Sequence, residues 1–109
     1  MAETRKVLGQ SKPLAATLTD AYTVPAATQA VVSTITIANQ SAVATSYRIS
    51  VAVAGAVGTA AQYIAYDVAI AGNATHALTL GVTLGAADVV RVYNTLATLS
   101  FNVFGVELT

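Results

Sequence analysis

Apolar and polar residues alternate along most of this chain, and the period is two. Tyr47, Ile49, Val51 and Val53 alternate with Arg48, Ser50 and Ala52. Ile64, Tyr66, Val68 and Ile70 alternate with Ala65, Asp67 and Ala69. Leu78, Leu80, Val82 and Leu84 alternate with Thr79, Gly81 and Thr83, and Leu99, Phe101 and Val103 with Ser100 and Asn102. Shorter runs cover residues 18–24 and 89–93. In residues 30–39, Val31, Ile35 and Ile37 fall on one face, with Thr34 and Thr36 on the other. Successive side chains of a strand point to opposite faces, so this pattern marks strands with one buried face.

Turn-forming residues separate the runs: Pro25-Ala26-Ala27, Asn39-Gln40-Ser41, Gly55 and Gly58, Gly72-Asn73, Gly85, and Asn94-Thr95. About seven or eight strands spaced this way predict an all-β fold, a single antiparallel β-sandwich or jelly-roll-like domain over residues 17–109. Abundant Val, Thr, Ile and Tyr agree with strands. Ala dissents, with 23 copies, because it is the best helix former. Yet Ala falls mostly at alternating positions or in turns, and a helical stripe fits only weakly across residues 56–64. No internal repeat and no second domain is read.

Residues 1–16 look different. Glu3, Arg5, Lys6 and Lys12 concentrate charge there, and Gly9 and Pro13 punctuate the segment. It reads as an extended arm outside the core, with a short extended piece around Lys6 to Leu8. Within it, Arg5, Lys6 and Lys12 are candidates to pair with carboxylates of a neighbour, and Leu8 and Leu14 to fill its pockets.

Composition narrows the function classes. Of 109 residues only 9% are charged, with five basic and five acidic side chains and no net charge. An average soluble domain carries roughly 25%. Five scattered basic residues make no electrostatic footprint for nucleic acid. The outward positions are mainly Thr, Ser and Ala, which suits packing against other protein surfaces because little charge desolvation or side-chain entropy opposes contact. Mean hydropathy is +0.65, but the longest uncharged stretch, residues 21–47, is interrupted by Pro25 and by dispersed Thr, Ser, Gln and Asn. No run of about 20 apolar residues exists for a spanning helix, and two Phe with five Tyr are too few for the aromatic girdles of a membrane barrel. The first residues lack the continuous apolar stretch of a secretory signal. No membrane partner is expected.

Chemistry finds little to stand on. The carboxylates Asp20, Asp67, Asp88 and Glu107 could in principle supply an acid–base pair. Asp20 and Asp88 read as turn residues, and Asp67 as an outward strand residue. His76, the single histidine, has no Gly-x-Ser-x-Gly elbow to serve and no neighbouring ligands for zinc, and reads as an exposed strand or turn residue. There is no Cys. Gly55-Ala56-Val57-Gly58 lacks the Lys-Ser/Thr of a phosphate loop. No catalytic residue, metal or cofactor is expected. Tyr63, Tyr66 and Tyr93 could form a sugar-stacking platform, although parity with Ile64 and Val68 assigns Tyr66 to the core and leaves Tyr63 outside.

Several stretches resemble small β-sandwich structural proteins in the virions of tailed bacteriophages. They are Ala21-Tyr22-Thr23-Val24-Pro25-Ala26, Val31-Val32-Ser33-Thr34-Ile35, Ala38-Asn39-Gln40-Ser41, Thr45-Ser46-Tyr47-Arg48-Ile49 and Gln62-Tyr63-Ile64-Ala65-Tyr66-Asp67-Val68. Leu84-Gly85-Ala86-Ala87-Asp88-Val89-Val90-Arg91-Val92-Tyr93 and Phe104-Gly105-Val106-Glu107-Leu108 complete the set. The resemblance implies a non-enzymatic particle component made in the host cytoplasm. Decoration or cement of the head shell is favoured, with the major capsid protein or other virion proteins as partners and a dimer or trimer of the chain itself. A tail, collar, baseplate or fibre component is the alternative, and a carbohydrate-binding host-attachment module a third. The family pattern has Gly before the acidic residue at Asp88. Ala87 stands there instead, which puts the tight turn in question because Gly reaches positive φ at lower cost.

Overall fold

A computed structural model describes residues 2–109; Met1, the first residue of the expected arm, lies outside the described residues. Eight strands follow in order: β1 (Glu3–Ser11), β2 (Thr19–Thr23), β3 (Gln29–Asn39), β4 (Thr45–Ala52), β5 (Tyr63–Ile70), β6 (Thr75–Leu84), β7 (Val89–Asn94) and β8 (Leu99–Leu108). Between β4 and β5 lie two short 3-10 turns, Val53–Gly55 and Ala60–Gln62, the second within the stretch of weak helical periodicity.

The strands form two antiparallel four-stranded sheets, ordered β1-β8-β3-β6 and β2-β7-β4-β5. First pairs with last, second with seventh, third with sixth and fourth with fifth, so the pairs are nested like the two legs of one long hairpin. Each sheet contributes one face to a common core. Ile35, Ile37, Leu99, Phe101 and Val103 come from the first sheet, and Tyr22, Tyr47, Ile49, Ile70 and Val92 from the second. Phe101 meets Tyr47 edge-on at 6.1 Å between ring centroids.

Residues 3–11 are not an arm outside the core. They form the edge strand β1, paired with β8 from Glu3↔Leu108 to Ser11↔Phe101. Ala2 and Thr109 extend this pairing with two backbone hydrogen bonds of 2.7 and 2.8 Å. The charges that suggested an arm belong to an exposed sheet edge, where charged side chains discourage pairing with foreign strands. Gly9 brings this edge onto the second sheet: a Cβ there would collide with the carbonyl oxygen of Ala21. The connector to β2 is tied down by buried Asn94, whose Nδ2 donates to Pro13 O at 3.2 Å and whose backbone carbonyl accepts from Ala16 N at 2.9 Å.

Irregular pairing changes which side chains face inward. β3 shifts register between Val32 and Thr34 against both β6 and β8. An extra residue in a strand moves every later side chain to the other face. Ala30 and Val32 are therefore buried before the bulge, and Ile35 and Ile37 after it. Val31, expected beside Ile35 and Ile37, is turned to the outer face. Gly105 pairs with Val32 at this point, and a Cβ on it would strike Val31 O.

The turn before β7 closes although Ala87 replaces the glycine of the resembled pattern. Ala87 takes φ 69°, and its N–H donates to Val24 O at 3.0 Å. Asp88 holds the turn with its carboxylate, accepting from Gly85 N and Ala54 N, each at 2.8 Å.

Candidate functional site

The four candidate carboxylates have separate local partners. Asp20 lies on β2 rather than in a turn and accepts from Arg91 Nε at 3.0 Å. Asp67 accepts from Arg48 Nε at 2.6 Å, and Asp88 is the turn anchor just described. Glu107 is buried: Lys6 Nζ reaches Oε1 at 2.9 Å and the Tyr22 hydroxyl donates to Oε2 at 2.7 Å. The Lys6 hydrogen bond first, and the Tyr22 hydrogen bond second, hold the Glu107 carboxyl below its ordinary pKa. Burial first, then the bond to Glu107, pushes the Tyr22 phenol up. Among the described residues no three His, Asp or Glu side chains gather as a metal site.

His76 is not an exposed residue. It points inward from β6, half-buried, with Nδ1 at 2.9 Å from the Tyr47 hydroxyl and its ring edge-on to Tyr47 at 5.7 Å. β6 is a sheet edge, and one-sided cover leaves His76, Leu78, Leu80 and Val82 half-buried along it.

The five expected contact residues of the N-terminal segment separate into two sets. Lys6 is spent on Glu107, and Leu8 packs half-buried against the core. Arg5 pairs with its neighbour Glu3 at 3.0 Å but stays open to solvent. Lys12 and Leu14 are exposed in the connector, Leu14 at 73%.

The outer face of the first sheet carries an apolar stripe. On β8, Leu99, Phe101, Val103, Gly105 and Glu107 point inward. Phe104, Val106 and Leu108 have the opposite parity and are half-buried on the outside. Register places Val7 and Thr34 beside Phe104, and Arg5 and Val31 beside Val106. Val7 is 47% exposed. Gln10, Asn102, Thr36, Thr79 and Thr83 surround the stripe, and the Glu3–Arg5 pair is its one charged element. The parity of Phe101 and Val103, continued along the chain, was the signal for this stripe.

The outer face of the second sheet gathers aromatic rings around Arg48. The β4–β5 pairing shifts between Tyr47 and Ile49 and again between Ile49 and Ser50. Ala65 and Val68 therefore pack on the core, while Tyr63 and Tyr66 turn outward. Tyr66, assigned to the core by simple parity, is 57% exposed, and Ile64 is 47% exposed. Asp67, at the slip, has φ 50°, a left-handed conformation strained for a residue with a side chain. The Tyr63 and Tyr66 rings meet edge-to-face at 5.0 Å. The Arg48 guanidinium lies 4.2 Å from the Tyr66 ring centroid and 4.5 Å from that of Tyr93. Its hydrogen bond to Asp67 raises its pKa further above an already high value. Beside this cluster a cleft of about 610 Å³ is lined by Leu18, Gly58, Thr59, Ala60, Tyr63 and Tyr66.

No helix among the described residues is long and apolar enough to cross a membrane. Comparison with known proteins finds no matching family model, no similar curated protein and no similar solved structure.

Proposed function

We propose that this domain is a structural component of a virus particle, a decoration or cement protein that stabilises the head shell by binding across capsid subunits. It works by association, without a bond-making centre. The observation that carries the reading is the outer face of the first sheet, where Val7, Val31, Phe104, Val106 and Leu108 form a nearly uncharged stripe within a rim of Thr, Asn and Gln. A stable interface takes about 800 Å² from each partner, roughly 15% of the 5441 Å² this chain exposes. The molecule measures 45 × 27 × 19 Å, so one broad face is large enough. Lys12 and Leu14 extend the contact surface beyond that face.

We read the nested pairing of β1 with β8, β2 with β7, β3 with β6 and β4 with β5 as jelly-roll winding, an architecture used by capsid and lectin domains. Self-association into a dimer or trimer would let so small a module span a subunit seam.

Val106→Asp tests the reading. The change puts a charge on the outer stripe without touching the core, so the chain still melts cooperatively, at most a few degrees lower for the lost strand propensity, and no longer co-sediments with shells. Quantifying the chain against the major shell protein in gently disassembled particles supplies the second readout. A copy number matched to shell subunits supports decoration. Undiminished binding of Val106→Asp, or a copy number set by the tail axis, overturns it.

A further inference from the structure

We propose that the outer face of the second sheet is a binding site for a neutral saccharide, with a pyranose ring stacked on Tyr66 and bordered by Tyr63, Asp67 and the wall at Gly58–Ala60. This goes beyond the shell-binding reading and uses the opposite face of the molecule.

Four observations lead there. First, the outward turn of exposed Tyr66 and half-buried Tyr63 is built by two slips in the β4–β5 pairing and by Asp67 at φ 50°. Bulges and left-handed non-glycine residues cost stability and recur where a side chain must be re-aimed for function. Second, two neighbours hold the Tyr66 ring in place. Tyr63 lies edge-on at 5.0 Å and Arg48 over the ring at 4.2 Å, and Arg48 is itself backed by Tyr93. A ring fixed in this way loses little freedom when a ligand stacks on it.

Third, the cleft wall is held in place. Gln62 donates to Val57 O at 3.0 Å and accepts from Thr59 N at 3.3 Å. Arg91 donates to Ala56 O at 2.7 Å and Gly55 O at 3.1 Å. The cleft beside Tyr66, about 610 Å³, is of ordinary size for a small-ligand site, roughly 300–1,000 Å³.

Fourth, the charge of the cluster selects the ligand. Arg48 is neutralised by Asp67, at 2.6 Å for Oδ1 and 3.3 Å for Oδ2. No unpaired charge is left for a phosphate, a carboxylate or an ammonium group. The site offers an aromatic face for apolar C–H groups and, at its edge, phenol hydroxyls and the loosely held Asp67 Oδ2 as an acceptor. A pyranose has that same division, with C–H groups on its faces and hydroxyls around its rim. An apolar ligand would leave the polar edge unsatisfied.

The test is saturation-transfer NMR on the full chain with neutral methyl pyranosides (gluco, galacto and N-acetylglucosamine forms) and their tetrasaccharides. At least one neutral saccharide should receive saturation, with tyrosine ring protons as its donors. Tyr66→Ala should weaken that binding at least about tenfold, the loss of some 1.4 kcal/mol of stacking, while leaving the melting curve in place because Tyr66 is exposed. Asp67→Asn unpairs Arg48 and should turn preference from neutral sugars toward glucuronate. The proposal is overturned if no neutral saccharide receives saturation, if Tyr66→Ala leaves the response unchanged, or if a proline-rich peptide occupies the cleft and no sugar does. Val106→Asp should leave sugar binding intact, so failure here and failure of shell binding are read separately.

Discussion

Tyr22→Phe removes one hydroxyl from the interior and probes how Glu107 is tolerated there. Glu107 projects from β8 into the space between the sheets, its side chain 11% exposed. Its two oxygens take one donor each, Lys6 at 2.9 Å and Tyr22 at 2.7 Å. A hydrogen bond to a charged group contributes about 1.5–3 kcal/mol, and a buried carboxylate oxygen left without its donor loses that amount. We expect a cost of about 2 kcal/mol at pH 7. Unfolding entropy of roughly 2.1 cal/mol/K per residue gives about 0.23 kcal/mol/K for this chain, so the melting temperature should fall by about 9 °C. Lys6→Met should cost less, about 1 kcal/mol, because the lysine is half-exposed and its charge is screened.

The pH dependence separates this account from simple repacking. Glu107 has its folded pKa held below the unfolded value, roughly 4.3. A lowered carboxyl pKa gives stability that is present above the unfolded value and lost as pH falls through the folded one. In Tyr22→Phe the lowering is smaller, so less is lost in acid, and the gap between the two proteins should narrow below about pH 4. Thermal melts by circular dichroism at pH 7 and pH 3 decide it. A gap of equal size at both, or no gap at pH 7, would refute the reasoning.

Three further outcomes follow from the backbone. Gly9→Ala and Gly105→Ala should each cost about 3 kcal/mol or more, since each Cβ would meet a backbone carbonyl that cannot swing aside. Gly81→Ala, with open space around it, should be nearly neutral in the same urea titration, and similar midpoints for all three would count against the close approaches. Removing residues 2–11 strips β1 from β8, uncovers Glu107 and takes Leu8 from the core. With total stability on the order of 5–15 kcal/mol, the shortened chain should lose its cooperative melt, and a melt within a few degrees of the full chain would restore the picture of a detachable arm. Ala87→Gly should raise stability by about 0.5 kcal/mol, because a left-handed conformation costs an L-residue about 1–2 kcal/mol and glycine's greater unfolded-state entropy returns only part of that. A lowered melting temperature would contradict it.

Strand number and the all-β class were legible because they depend on local rules. Alternation at period two, broken by Pro, Gly and Asn, requires no knowledge of partners, and seven of the eight strands coincide with alternating runs. Tertiary structure decided the rest, and it did so where pairing leaves the regular register. One extra residue in β3 exchanged Val31 for Val32 in the core, and two slips beside β5 turned Tyr66 from an expected core residue into an exposed one. Alternation along a single strand cannot reveal a slip, because a bulge is stabilised by the partner strand and by what packs over it. The charges of residues 3–6 were ambiguous for a related reason. A solvated arm and an exposed sheet edge present the same side chains to water, and only the pairing with β8 distinguishes them. His76 and Glu107 carried no signal of their surroundings, since Tyr47 and Tyr22, which hold them, lie far away in sequence and meet them only when the two sheets close.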